Sequence, residues 1–173
     1  MAIVHNRRFH PDRPGSGLVL AVLLISAATI LTALAFQFVG GYPPCPLCLQ
    51  QRYAYYFAIP AALVAWALSG SRPKIARALL LAVALGYFVN AGLGVYHSGV
   101  EWKWWEGPQT CSGAPPDLRS GDLSQALKGA RVFRCDEAAW RFLGLSFAGW
   151  NVITSALLAA LALKAGGGIG KAS

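Results

Sequence analysis

GLVLAVLLISAATILTALAFQFV, residues 17–39, is a stretch of 23 residues without a single charge. About 20 predominantly apolar residues let a helix cross the hydrocarbon core of a bilayer. Three further runs follow, at about 49–69, 75–96 and 146–163. The second has Arg52 as its one charge, near its start, and the third has Arg77 close to one end. In hydrocarbon no water satisfies the backbone, so each run is expected as an α-helix. Pro60 lies inside the second and is expected to kink it. Composition agrees: 55% of the 173 residues are hydrophobic and 13% are charged, against about 25% charged in a soluble domain.

The charges orient the runs. The net charge of +8 would suit a nucleic-acid binder, but its placement excludes that reading. Arg7, Arg8, Arg13, Arg72, Lys74, Arg77, Lys164 and Lys171 flank the apolar runs, whereas residues 101–141 carry six acids against six bases. Short basic flanks mark the cytoplasmic side. Both termini and the 70–77 loop are therefore expected inside. The uncharged loop 40–48 and the long loop 97–145 are expected outside. The fold class is an all-α membrane protein, a single domain over 1–173 in which four transmembrane helices form a bundle. Ala33-Leu34-Ala35 resembles a signal-peptide cleavage site, but the apolar run exceeds the roughly 7–15 residues of such a leader. A retained helix is the expectation.

The outer loop has internal pattern. Trp102, Trp104 and Trp105 follow the third helix and read as anchors at headgroup level. Trp140, Leu143 and Phe147 have helical spacing beside Arg134, Asp136, Glu137 and Arg141, which predicts a short helix lying on the membrane surface. Residues 112–129, rich in Gly, Pro and Ser, are expected to be mobile, and the glycine-rich tail 166–170 to be disordered.

All four cysteines fall on the outer side. Cys45 and Cys48 form a Cys-Pro-Leu-Cys motif, and Cys111 and Cys135 lie in the long loop. A staple across four residues would add little to a helix bundle, so the first pair reads as redox-active. The second pair, from its own residues, is equally compatible with a structural staple. Zinc sites favour two close pairs. Here the second pair is separated by 23 residues and has no His beside it, so no metal is expected. Covalent haem needs a His after the second Cys of the motif, and Leu49 stands there. Cys48 opens the second helix, whose N-terminus favours an anion, and Arg52 lies one turn on. Both effects are expected to favour the Cys48 thiolate.

Pro44-Cys45-Pro46-Leu47-Cys48 with Gln51-Arg52 resembles the signature of the DsbB family of bacterial disulfide oxidoreductases. Cys135-Asp136-Glu137, Trp140 and Phe142-Leu143-Gly144-Leu145 are similar to that family's second loop and entry into the last helix, and Tyr96-His97 matches a family histidine. The resemblance implies four helices in the bacterial inner membrane, cysteines on the periplasmic face, and a ubiquinone or menaquinone cofactor. It implies that Cys111 forms a mixed disulfide with a periplasmic DsbA-like thioredoxin-fold partner and that Cys135 is its pair. Cys45 and Cys48 would pass electrons to the quinone, with Cys48 nearest the ring. Arg52 would contact the quinone or offset the Cys48 charge, and His97 would be a further quinone contact. The chain would thus be a quinone-dependent thiol oxidase.

Two other readings compete. A vitamin K epoxide reductase-like enzyme also joins a four-helix bundle, a Cys-x-x-Cys and a quinone, but there the motif lies late in the chain, whereas here it opens the second helix. A membrane adaptor with two structural disulfides would have no cysteine responsive to mild reductant.

Overall fold

The computed structural model describes residues 15–108 and 134–171. Cys111 and the 112–129 segment lie outside the described residues. Four helices make up almost all of the described structure: α1 (Ser16–Phe38), α2 (Pro46–Leu68), α3 (Pro73–Glu101) and α4 (Phe147–Lys171). Before α4 come two short strands, β1 (Arg141–Phe142) and β2 (Leu145–Ser146), paired antiparallel. The most extensive interface is between α3 and α4; α2 packs on α3, and α1 on both α2 and α4.

α1, α3 and α4 are each long and apolar enough to cross a membrane. At about 1.5 Å per residue, the 23 residues of α1 reach roughly 35 Å, more than the ~30 Å hydrocarbon core. α2 has the same length, but Gln50, Gln51 and Arg52 near its start make it less apolar. Its outward face is nonetheless apolar: Tyr53, Phe57, Leu63 and Val64 are exposed, as are Leu31 on α1 and Leu85 and Phe88 on α3. The interior holds small residues instead, among them Ala62 and Ala65 of α2, Ala76 of α3 and Ala162 and Ala165 of α4. Large apolar groups outside and small ones between helices are how helices associate where the solvent is lipid. The protein is a membrane protein.

Polar side chains stitch the interior. Tyr55 Oη donates to Asn151 Oδ1 at 2.8 Å, and Asn90 Nδ2 donates to Ser155 Oγ at 2.9 Å, which joins α2, α3 and α4. Tyr87 and Ser26 share a 2.6 Å hydrogen bond between α3 and α1.

The local structure departs from the sequence expectations in three places. The short surface helix around Trp140 to Phe147 is absent; a hairpin takes its place. Leu143 (φ 52°) and Gly144 (φ 81°) both occupy the left-handed region, which a helix cannot contain and a two-residue hairpin turn requires. Trp150 Nε1 then donates to Phe142 O at 3.1 Å. The glycine-rich end of the chain is not irregular but continues α4 to Lys171. Close packing accounts for this: a Cβ on Gly15 would come within 2.9 Å of Ala165 O, and Ile169 is 4% exposed. Finally, α2 begins at Pro46, before the apolar run, and includes Pro60.

Candidate active site

The start of α2 organises the cysteines. Pro46 occupies the first helical turn, where its missing N–H costs nothing and its fixed φ suits the helix. Cys45 is thereby the N-cap, in extended conformation (φ −73°, ψ 164°). Its Sγ accepts the otherwise unpaired N–H of Cys48 at 3.2 Å, the role that a cap side chain plays at a helix start. Both are free thiols, with sulfurs 2.9 Å apart.

This geometry corrects the expectation about the thiolate. The positive end of α2 points at the cap residue, so the charge belongs on Cys45, not Cys48. The hydrogen bond with Cys48 pulls Cys45 down to about 5; burial opposes this, and His97 adds to it. Cys48 keeps the shared proton in that state. Arg52 is directed elsewhere: it donates to Gln37 Oε1 at 2.5 Å and to Ala33 O at 3.5 Å, both on α1.

His97 lies near the end of α3, 2% exposed. Gln51 Nε2 donates to its Nδ1 at 2.8 Å, which leaves the ring proton on Nε2. That nitrogen is 3.7 Å from Cys45 Sγ and 3.8 Å from Glu101 Oε1. Trp105 folds back over the same helix end, with Nε1 donating to Tyr96 O at 2.8 Å and its ring stacked on Tyr96. Only glycine fits beneath it, since a Cβ on Gly99 would lie 2.0 Å from the indole.

Cys135 is fully buried and disulfide-bonded. It packs in one small cluster with Cys45, Leu47 and Val100. The sulfurs of Cys45 and Cys135 and a ring nitrogen of His97 all lie within 4.8 Å of one another. That triad has the spacing of a metal site, but a disulfide sulfur has no thiolate to offer a metal. The neighbours of Cys135 are ions at the surface, exposed at Arg134 and Glu137 and half-buried at Asp136. Arg134 pairs with Asp136 at 3.0 Å and with Glu137 at 3.2 Å, and Lys103 pairs with Asp136. The hydrogen bonds of Arg134 and Lys103 hold the Asp136 carboxyl well below the usual carboxylate range.

Beside the dithiol opens a cavity of about 770 Å³. Ile30, Ala33 and Phe36 of α1 line one side, Trp140 and Phe147 another, and Cys48, Arg52, His97 and Asn151 supply polar groups. Phe36 meets Phe147 edge to face at 4.9 Å, and Trp140 stacks on Phe147 at 5.5 Å. Asn151 has its Oδ1 committed to Tyr55 and Asn90. Its Nδ2 is buried and has no partner among the described residues.

Residues 15–165 match the sequence profile of the family described as disulfide bond formation protein DsbB. The chain belongs to the DsbB family. Among its relatives, proteins named disulfide bond formation protein B in Azoarcus sp. (strain BH72) and Methylococcus capsulatus are 34% and 36% identical to it. These matches cover 84% and 81% of this chain and 89% and 87% of the relatives. The corresponding protein of Marinobacter nauticus is 35% identical over 82% of the chain and 86% of its own length. No solved structure matches. Membership of the DsbB family agrees with the resemblance that the Cys-Pro-Leu-Cys segment carries. Glu101 and Asn151 are site residues that the sequence reading passed over, and Gln51 entered it only as part of the family signature, without a role. The available signal was their polarity within or at the edge of an apolar run.

Proposed function

We propose that this protein is a quinone-dependent thiol oxidase that reoxidises a periplasmic DsbA-like dithiol protein. In this reading all four helices span the bacterial inner membrane, the termini are cytoplasmic, and the cysteine end of the bundle is periplasmic. The carrying observation is that Cys45 lies within 4.8 Å of the Cys135 sulfur while its pair, Cys48, lines the apolar cavity. A sulfur relay between two pairs needs that adjacency.

In the relay, the partner's thiolate attacks Cys111, which forms a mixed disulfide and frees Cys135. Cys135 attacks Cys45 of the oxidised pair; a Cys135–Cys45 bond forms, the Cys45–Cys48 bond breaks, and Cys48 leaves as a thiolate. The partner's second thiol then displaces Cys111. Cys111 attacks Cys135, restores their disulfide and leaves Cys45 reduced. Two electrons have moved from the partner to Cys45 and Cys48. A free dithiol beside a disulfide-bonded Cys135, the state described above, is the product of this sequence.

The cavity suits a quinone head group. Its walls are aromatic and aliphatic, and the guanidinium of Arg52 is a donor for a carbonyl oxygen. Bound ubiquinone or menaquinone would supply the electron sink that a dithiol lacks. Arg52, held by Gln37, would orient it, and would offset the charge of Cys48 only in the transient step in which Cys48 leaves as a thiolate. His97 lines the cavity too, but its nitrogens face Gln51, Cys45 and Glu101, which assigns it chiefly to the thiol.

The test is turnover in detergent, with a ubiquinone analogue and a reduced thioredoxin-like dithiol protein, followed by quinone absorbance. Quinone loss that requires both the dithiol and Cys48, judged with Cys48→Ser, is expected. Arg52→Ala should raise the quinone KM about tenfold, as the loss of one charged hydrogen bond does, and leave the KM for the dithiol protein unchanged. Absence of quinone loss with every dithiol tried would overturn the reading.

A further inference from the structure

Glu101, the last residue of α3, has no part in the relay above. Its side chain is only 4% exposed. The Ser146 hydroxyl lies close to it, and its Oε2 has no partner among the described residues. A buried carboxylate with one oxygen unpaired is costly.

The geometry around His97 gives the carboxylate a competitor. Gln51 fixes the ring proton on Nε2. That N–H lies between two neighbours: it reaches Cys45 Sγ at 3.7 Å, within hydrogen-bond range for sulfur, and Glu101 Oε1 lies at 3.8 Å, just outside the range for oxygen. It can serve one of them. If thiolate and carboxylate are charged together, one is left unpaired in a low-dielectric site, where like charges repel most strongly. The other groups that bear on Glu101 are Cys48 from α2 and Arg141 from β1. Arg134 and Glu137 face the same cavity from the 134–137 segment and are half or more exposed to solvent.

We propose that Glu101 is the proton-exchange partner of Cys45: it takes up a proton when the Cys45–Cys48 disulfide is reduced and releases it when the pair is reoxidised. The step balances. The partner's dithiol gives up two electrons and two protons and becomes a disulfide, while the Cys111–Cys135 disulfide is opened and restored. The Cys45–Cys48 disulfide gains the electrons and becomes Cys45 thiolate and Cys48 thiol, which uses one proton. The second proton goes to the Glu101 carboxylate, so the site carries one negative charge before and after. His97 turns its Nε2–H from Glu101 to Cys45 as that charge moves. Gln51 is the positioning residue that keeps the ring in the tautomer able to do so. This use in turnover rests on the thiol-oxidase reading, but the proton exchange is a property of the Cys45–Cys48 pair alone.

The experiment is a redox titration of the pair in full-length, quinone-free protein in detergent. Its midpoint potential is followed between about pH 6 and 8, above the Cys45 value of about 5, and the slope reads the protons bound per reduction. Wild type should bind two protons per two electrons and Glu101→Gln one, which halves the slope. Glu101→Asp should keep the wild-type slope. Reduction should also bring up an infrared band of a protonated carboxyl group in wild type that Glu101→Gln lacks. Unchanged low-pH alkylation of Cys45 in Glu101→Gln shows that the helix start is still folded. Equal slopes in wild type and Glu101→Gln, or no carboxyl band, would overturn the proposal. Such a failure leaves quinone turnover intact and is thus distinct from failure of the oxidase reading.

Discussion

Cys45 and Cys135 lie side by side and are held in opposite ways. Cys45 is fixed by the backbone: Pro46 starts α2, the cap geometry follows, and Cys48 N–H, Gln51 and His97 are all parts of packed helices. Cys135 is buried just as deeply but sits on a segment whose flanking residues are tied down by exposed ion pairs to Lys103 and within 134–137. Exposed ion pairs contribute little and are screened by salt. One sulfur therefore has a fixed address and the other has a removable clamp. The proposed relay needs this asymmetry, because one sulfur must stay beside the cavity while the other exchanges between Cys45 and Cys111.

The comparison breaks most completely at Cys45. Cys45→Ala should bring electron transfer from dithiol to quinone down to background, while Cys111 still traps the partner as a mixed disulfide. The reduced wild-type pair should be alkylated at Cys45 with a rate that rises with pH through about 5 and then levels off. The sign follows from the lowered value: the reactive anion exists above it and is protonated below it. A midpoint at the ordinary thiol value, or alkylation at Cys48 in place of Cys45, would remove the cap from the argument.

A smaller effect should follow from loosening the frame behind the fixed sulfur. Asn90 is 3% exposed and donates to Ser155 and Asn151, which links α3 to α4. Interhelical hydrogen bonds in membrane proteins average about 0.6 kcal/mol and reach about 1.7 kcal/mol. Asn90→Ala should lower stability by about 1 kcal/mol within that range, measured by unfolding in mixed micelles. The alkylation midpoint of Cys45 should not move, since the cap is local to residues 45–48. A shifted midpoint would mean that the address of Cys45 depends on the deep network as well as on its own helix start.

What could be read beforehand follows the same division. The apolar runs and the Cys-Pro-Leu-Cys spacing are properties of local sequence, and helices with that motif at one end are what the chain forms. The identity of the thiolate was misread because hydropathy marks where lipid begins, at Leu49, and not where the helix begins, at Pro46. Pro at the first helical position was the available signal that Cys45 is the cap. The hairpin was hidden because Trp140, Leu143 and Phe147 mimic helical spacing, while Leu143-Gly144 is the turn. Glu101 and Asn151 come into play only through tertiary contact with His97 and the cavity, which no periodicity encodes. The glycine-rich end of α4 depends likewise on tertiary packing, with Leu80 beside Gly166 and Gly15 against Ala165 and Ile169.

The least effect is expected at the clamp. Asp136 receives Lys103 and Arg134 together, so Asp136→Asn removes the acceptor charge that both share. The disulfide of Cys135 should then be reduced faster by dithiothreitol, by no more than about fivefold, because exposed pairs are weak. High salt should produce the same change in wild type and little further change in the variant. Acid should act in the same direction: a carboxyl whose folded value is lowered keeps its pairing above the ordinary carboxylate range and loses it as pH falls. The Cys45 alkylation rate should stay at the wild-type level throughout. If salt left the reduction rate of Cys135 unchanged, the burial of Cys135 against Leu47 and Val100, and not the ion pairs, would be its clamp. Release of that sulfur would then require the packed cluster itself to open.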